Sequence, residues 1–144
     1  MRLRLLLLST FICFLALSQT NPNKTTAIAS VEKHQQELIN LSDSVWKYAE
    51  TALKEYKSAK ALSDYAVKQG FHVTTNVAGM PTAFIAEYGS GKPIIGILGE
   101  FDALPGLSQK AQPAREALTE GAPGHGCGHN MFGAASLGAA TAIK

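Results

Sequence analysis

Residues 93–101, PIIGILGEF, restrict this chain more than any other stretch. The run is apolar, of strand length, and bounded by the turn-forming segments GSGKP and ALPG. It has no polar face to offer to water. Such a run is the pattern of a strand covered on both faces, which predicts a sheet with helices packed over it.

The flanking periodicities agree with that class. From Val31 to about Tyr56 the apolar residues Leu38, Leu41, Val45, Tyr48, Ala49, Ala52 and Leu53 recur at three-four spacing, predicting an amphipathic helix with Ser30 as its N-cap. Trp46 is expected to anchor this helix in the core. Residues 58–69 predict a second helix, stopped at Gly70. FHVTTNV and TAFIAEYG then read as strands on either side of an AGMP turn. The stretch 107–124 has no period and reads as a loop. MFGAASLGAATAIK carries small residues at helical spacing, as for a helix packed closely on a sheet. The expected class is α/β, with layered helices on a mixed, partly parallel sheet. The helical pattern is unfinished at Lys144, and the buried strand has few neighbours to pair with. Both features lead us to expect an incomplete domain over residues 31–144, preceded by a flexible lead-in over residues 19–30.

The amino terminus predicts export. MRLR is a short basic segment, LLLLSTFICFLAL is an apolar run of signal-peptide length, and Ala16 and Ser18 form a small-x-small cleavage pattern. Residues 1–18 are therefore expected to be a signal peptide, with an uncleaved amino-terminal anchor as the alternative, and the mature chain periplasmic or secreted. Removing it takes away Cys13 and leaves Cys127 without an internal disulfide partner. The formal charge of the 144-residue chain is +2. With Arg2 and Arg4 set aside, acidic and basic side chains balance, so nucleic acid is not an expected partner.

Chemistry concentrates in two places. Glu100 and Asp102 stand two residues apart at the carboxyl end of the apolar run, the edge where α/β sheets gather ligands. On a strand they face the same way, and burying both is costly unless a cation or a shared proton offsets them. A solvated pair of loop acids has the same spacing. The second place is GHGCGHN, residues 124–130. Cys127 and His129 are good ligands for zinc or a similar divalent ion, and the glycines between them permit a tight backbone. A glycine-rich turn before a helix, with His125 and His129 at the surface, would look alike. His34 and His72, on an expected helix and strand, read as surface or satisfied residues.

GILGEFDALPGLSQ followed by PGHGCGHNMFGAA resembles the metal-dependent amidohydrolases of the aminoacylase and carboxypeptidase superfamily. The resemblance is to the branch with a cysteine-histidine metal motif, which includes hippurate hydrolases, auxin-conjugate hydrolases and p-aminobenzoyl-glutamate hydrolases. It runs from about Leu38 to Lys144, and the two motifs together are far more specific than either alone. It implies the amino-terminal part of a zinc-peptidase-like catalytic domain. By the same resemblance Cys127 and His129 are ligands of a two-metal centre holding zinc or manganese. Asp102 matches the catalytic aspartate that orients or polarises that centre. Glu100 stands where better-known relatives place a ligand histidine. His125 matches a motif histidine that is not a ligand, and Asn130 replaces the usual aspartate. Glu100 and His125 are expected to support the centre from around it.

The implied reaction is metal-assisted hydrolysis of the amide bond in an N-acyl amino acid, an aminobenzoyl-glutamate or a dipeptide-like small molecule. The metals lower the pKa of a bound water, and a carboxylate takes its proton. In the family that base, the remaining ligands and a dimerising lid domain lie beyond the cysteine-histidine motif. Glu116 and Glu120 precede the motif and do not fit the base. The complete protein is expected to be a homo- or hetero-oligomer, and these 144 residues alone inactive. Two other readings stand beside this one. One is a small secreted metal-binding or interaction module without catalysis. The other, a redox thiol at Cys127, lacks a resolving cysteine.

Overall fold

The computed structural model describes residues 21–144. The signal-peptide reading of residues 1–18 lies outside the described residues. The elements run in the order α1 (Pro22–Tyr48), α2 (Tyr56–Lys68), β1 (His72–Thr75), a short 3-10 turn (Val77–Gly79), β2 (Phe84–Glu87) and α3 (His129–Ile143).

Helix α1 starts well before the expected Ser30. The side chain of Asn21 accepts from the backbone N–H of Asn23 at 3.0 Å, and Pro22 occupies the first turn. An asparagine cap followed by proline is a strong helix start, and it makes the stretch expected to be a lead-in helical from Pro22 onward. The helix also ends sooner than expected, at Tyr48. Ala49 adopts a left-handed conformation (φ 45°), and its N–H donates to the Val45 carbonyl at 3.1 Å. The turn frees Glu50 to cap α2. Its carboxylate accepts from the N–H groups of Lys57 and Ser58, at 3.1 and 2.9 Å, and from the Ser58 hydroxyl at 2.9 Å.

Helix α2 stops as its sequence predicts. Gly70 has φ 83°, its N–H donates to Val67, and the N–H of Phe71 donates to Ala66 at 3.0 Å. That pair of bonds closes the last turn and requires a residue that tolerates positive φ. The chain then enters the antiparallel hairpin of β1 and β2, with His72 opposite Glu87 and Thr75 opposite Phe84.

The core gathers Leu41, Val45, Leu62, Tyr65 and Ala134, with Leu38, Ala61, Phe84, Phe101 and Leu137 packed around it. Helix α1 makes its broadest helix contact with α3, and α2 leans on both. Trp46 is only half-buried, so the core is built from the smaller side chains of α1 rather than on the expected tryptophan anchor.

Mixed α and β structure is present, as expected. The partly parallel, layered sheet does not appear among the described residues. They contain the two-stranded hairpin and one isolated parallel bridge, Thr51 with Ala103. The expected buried strand is the chief correction. Residues 93–101 form no strand, and Ile94, Ile95 and Leu98 are 85%, 67% and 73% exposed. A strand covered on both faces needs neighbours along both edges, and the hairpin pairs only with itself. The end of the run does rest on α3. The Ser136 hydroxyl donates to the Leu98 carbonyl at 2.7 Å, and a Cβ at Gly133 would stand 3.1 Å from the Glu100 carbonyl. Glycine at 133 is what lets helix and run approach this closely. Among the described residues no helix is long and apolar enough to cross a membrane.

Candidate metal centre

Three backbone ties bring the two chemical stretches together. The N–H of Ala103 donates to the Glu50 carbonyl at 2.7 Å, fixing the chain just after Asp102 to the turn beyond α1. Leu104 and Gly124 exchange two hydrogen bonds, each 3.0 Å. This antiparallel bridge pinches off the intervening residues as a loop and sets the FDALP stretch beside the start of GHGCGHN. Inside the loop, Ser108 N–H donates to Ala122, and Lys110 pairs with Glu116. That lysine, with the Gln112 amide, holds the exposed Glu116 carboxyl below its ordinary pKa. Glu116 is thus a loop residue.

His129 is the first residue of α3, behind the left-handed Gly128 (φ 77°). Its imidazole lies between the two acids of the other stretch. Nδ1 is 2.8 Å from Asp102 Oδ1, and Nε2 is 3.1 Å from Glu100 Oε2. A neutral ring carries one proton. If Nδ1 gives that proton to Asp102, the Nε2 lone pair faces a carboxylate oxygen, and a cation must stand with them. A second proton would serve. So would a divalent ion, because two donors each ~2.0–2.2 Å from one ion sit about 3 Å apart. His129 and Glu100 therefore have the separation of neighbouring ligands. Asp102 sits at the opposite ring nitrogen, in the place of a carboxylate that orients a ligand histidine.

Cys127 is exposed as a free thiol in the turn before α3. Among the described residues no three His, Cys, Asp or Glu side chains converge on one point as a metal-binding group. Glu100 and His129 fit such an ion as a pair, and Asp102 faces away from it.

His125 is turned elsewhere. Its Nε2 lies 3.0 Å from the Val45 carbonyl, and its buried Nδ1 has no partner. A carbonyl only accepts, so Nε2 carries the proton. Burial pushes the imidazole below its ordinary pKa; the Val45 contact opposes this, and His129 and Asp102 act in opposite senses. Asn130, buried at the next position of α3, donates through Nδ2 to the Ser42 hydroxyl at 3.0 Å.

The residues singled out from the sequence thus fall into two groups. Glu100, Asp102 and His129 are in contact. Cys127 is beside them in sequence and open to solvent. His125 faces α1. The contributions of Ser42 and the Val45 carbonyl had no sequence signal, since a serine in a helix and a backbone carbonyl carry no motif. His34 and His72 lie away from this cluster, with His34 Nδ1 on the Ser30 carbonyl of its own helix.

No protein-family model matches the chain. Comparison with curated proteins finds 46% identity over 116 residues with a subunit of p-aminobenzoyl-glutamate hydrolase from Escherichia coli (strain K12), covering 80% of this chain and 24% of that protein. A second relative is YhaA of Bacillus subtilis (strain 168), named for an inferred amidohydrolase activity. It is 28% identical over 110 residues, 75% of this chain and 27% of its own length. The chain therefore spans about a quarter of the length of the curated relatives it matches.

Proposed function

Because this chain is 46% identical over 116 residues to a p-aminobenzoyl-glutamate hydrolase subunit and 28% identical over 110 to a protein named as an amidohydrolase, we propose that it contributes to metal-dependent hydrolysis of an amide bond. The substrate class we propose is an N-acyl amino acid, aminobenzoyl-glutamate or a dipeptide-like molecule. The observation that carries the reading is His129 held at Nδ1 by Asp102 while Nε2 meets Glu100 at 3.1 Å. An imidazole oriented by one acid and paired through its free nitrogen with another suits a cation site better than a surface turn.

In this reading His129, Cys127 and Glu100 hold divalent metal, two ions of zinc or manganese in the complete site. Bound there, the ions supply a Lewis acid that makes water nucleophilic near neutral pH. Asp102 keeps His129 in the tautomer that offers Nε2. Cys127 supplies a thiolate from the turn, and the helix-first position of His129 fixes its distance from that turn. We assign the general base and the remaining donors to parts of a longer protein beyond these residues, since the matched region spans only about a quarter of each relative. Residues 21–144 alone are accordingly proposed to be inactive. The Escherichia coli relative is named as one subunit of its hydrolase, which supports assembly into an oligomer. Export to the periplasm or beyond remains part of the proposal.

The test is metal content and amide hydrolysis of the complete protein carrying Cys127→Ser or His129→Ala. Both variants are expected to lose metal-dependent turnover by orders of magnitude. Full activity and full metal content in both would remove the metal assignment.

A further inference from the structure

Two contacts bracket the candidate ligands in sequence and land on one turn of the same helix. His125, two residues before Cys127, reaches the Val45 carbonyl at 3.0 Å. Asn130, directly after His129, reaches the Ser42 hydroxyl at 3.0 Å. Ser42 and Val45 are three apart on α1, so they lie on one face of it, and Val45 is fully buried there. We infer that His125 and Asn130 are positioning residues, a two-point clamp that holds the Cys127–His129 turn against α1.

The chemistry of each tie is suited to that task. The Val45 carbonyl lies in the last turn of α1, where it accepts from Ala49 and retains a lone pair for a side-chain donor. His125 supplies that donor from Nε2, and its ring fills space that a shorter side chain would leave open. Asn130 joins through an amide hydrogen to a hydroxyl, a bond between neutral groups that holds without charge. The turn between them contains Gly126 and Gly128, which give it no stiffness of its own. Within the turn, Gly126 N–H donates to Gly124 and Gly128 N–H to His125, at 3.1 and 3.2 Å, and the two side-chain ties are what seat that turn against α1. This inference rests on the metal reading for its consequence, though the clamp itself is a statement about the turn.

The experiment follows two signals in the complete protein and its variants. One is amide hydrogen exchange across residues 124–130 without metal. The other is a titration with cobalt(II) alone, read by the thiolate-to-cobalt charge-transfer band. His125→Ala is expected to speed exchange in the turn and to weaken cobalt binding by about 10–100-fold. His125→Gln, whose amide nitrogen falls near the place of Nε2, is expected to restore both, and His125→Asn, whose amide falls short, neither. Ser42→Ala removes only a hydroxyl from α1 and is expected to loosen the Asn130 end of the turn; it carries the test if His125→Ala does not fold. Unchanged exchange and cobalt affinity in His125→Ala, or in Ser42→Ala should the former not fold, would overturn the clamp. A complete wild-type protein with no cobalt band, but faster exchange in His125→Ala, would retain the clamp and remove the metal reading.

Discussion

Asp102 Oδ1 lies 2.8 Å from His129 Nδ1, and the contact decides which face of the imidazole is left for another partner. Asp102→Ala should therefore unfix the ring without removing a donor from Nε2. The expected result is metal affinity weaker by about 10–100-fold, with a stability loss of roughly 1–3 kcal/mol. Isothermal titration with zinc and urea denaturation would measure the two. An affinity unchanged from wild type would mean that Asp102 does not orient the histidine.

Glu50 is the clearest stability determinant outside the core. It accepts three hydrogen bonds at the start of α2, two of them from backbone N–H groups. Glu50→Ala should cost about 1–2 kcal/mol by loss of this cap, read as a lower urea midpoint. A midpoint within error of wild type would show that water replaces the carboxylate at no cost.

Leu62 and Ile94 give a matched pair of apolar substitutions. Leu62, on α2, is 1% exposed and Ile94, in the apolar run, is 85% exposed. Leu62→Ala should destabilise by about 2–5 kcal/mol through the cavity it leaves. Ile94→Ser should change stability by no more than about 0.5 kcal/mol and reduce self-association, measured by denaturation and by sedimentation. Comparable losses in both variants would place the run in a packed environment.

His125 gives the metal-free chain a pH-dependent stability. Its folded pKa lies below the ordinary value of 6.5, chiefly because the ring is buried. The unfolded chain then binds its proton first. The contribution is complete above the ordinary value and is lost as pH falls through the lower folded value. His125→Gln should flatten this part of the profile below about pH 7. Urea midpoints across that range test it, and equal slopes in both proteins would assign the dependence to other groups.

How much of this was legible in the sequence varied by element. The stop of α2 at Gly70 was readable because only a left-handed residue closes that turn. The early start of α1 was present in Asn21-Pro22 and was outweighed by the apolar period, which begins later. Its early end was not readable, because Ala49 in a left-handed conformation follows from tertiary context and not from its own preference. The run at 93–101 was read as buried from composition, yet burial depends on neighbouring strands that a local pattern cannot supply. At the site, the pairing of Asp102 with His129 was reachable through the two motifs. The seat of His125 was not, because its acceptor is a backbone carbonyl on a helix 80 residues away.

The bridge between Leu104 and Gly124 has a consequence for how such proteins are compared. It closes the loop before the turn that carries Cys127, so the number of residues inside the loop does not reach the site. Lengthening a flexible closed loop is cheap, about 0.6 kcal/mol for each doubling. The interval between FDALP and GHGCGH is therefore free to drift while the geometry of both stays put. A sequence search that fixes that interval would discard true kin, whereas one that scores the two stretches separately and leaves the gap unconstrained would keep them.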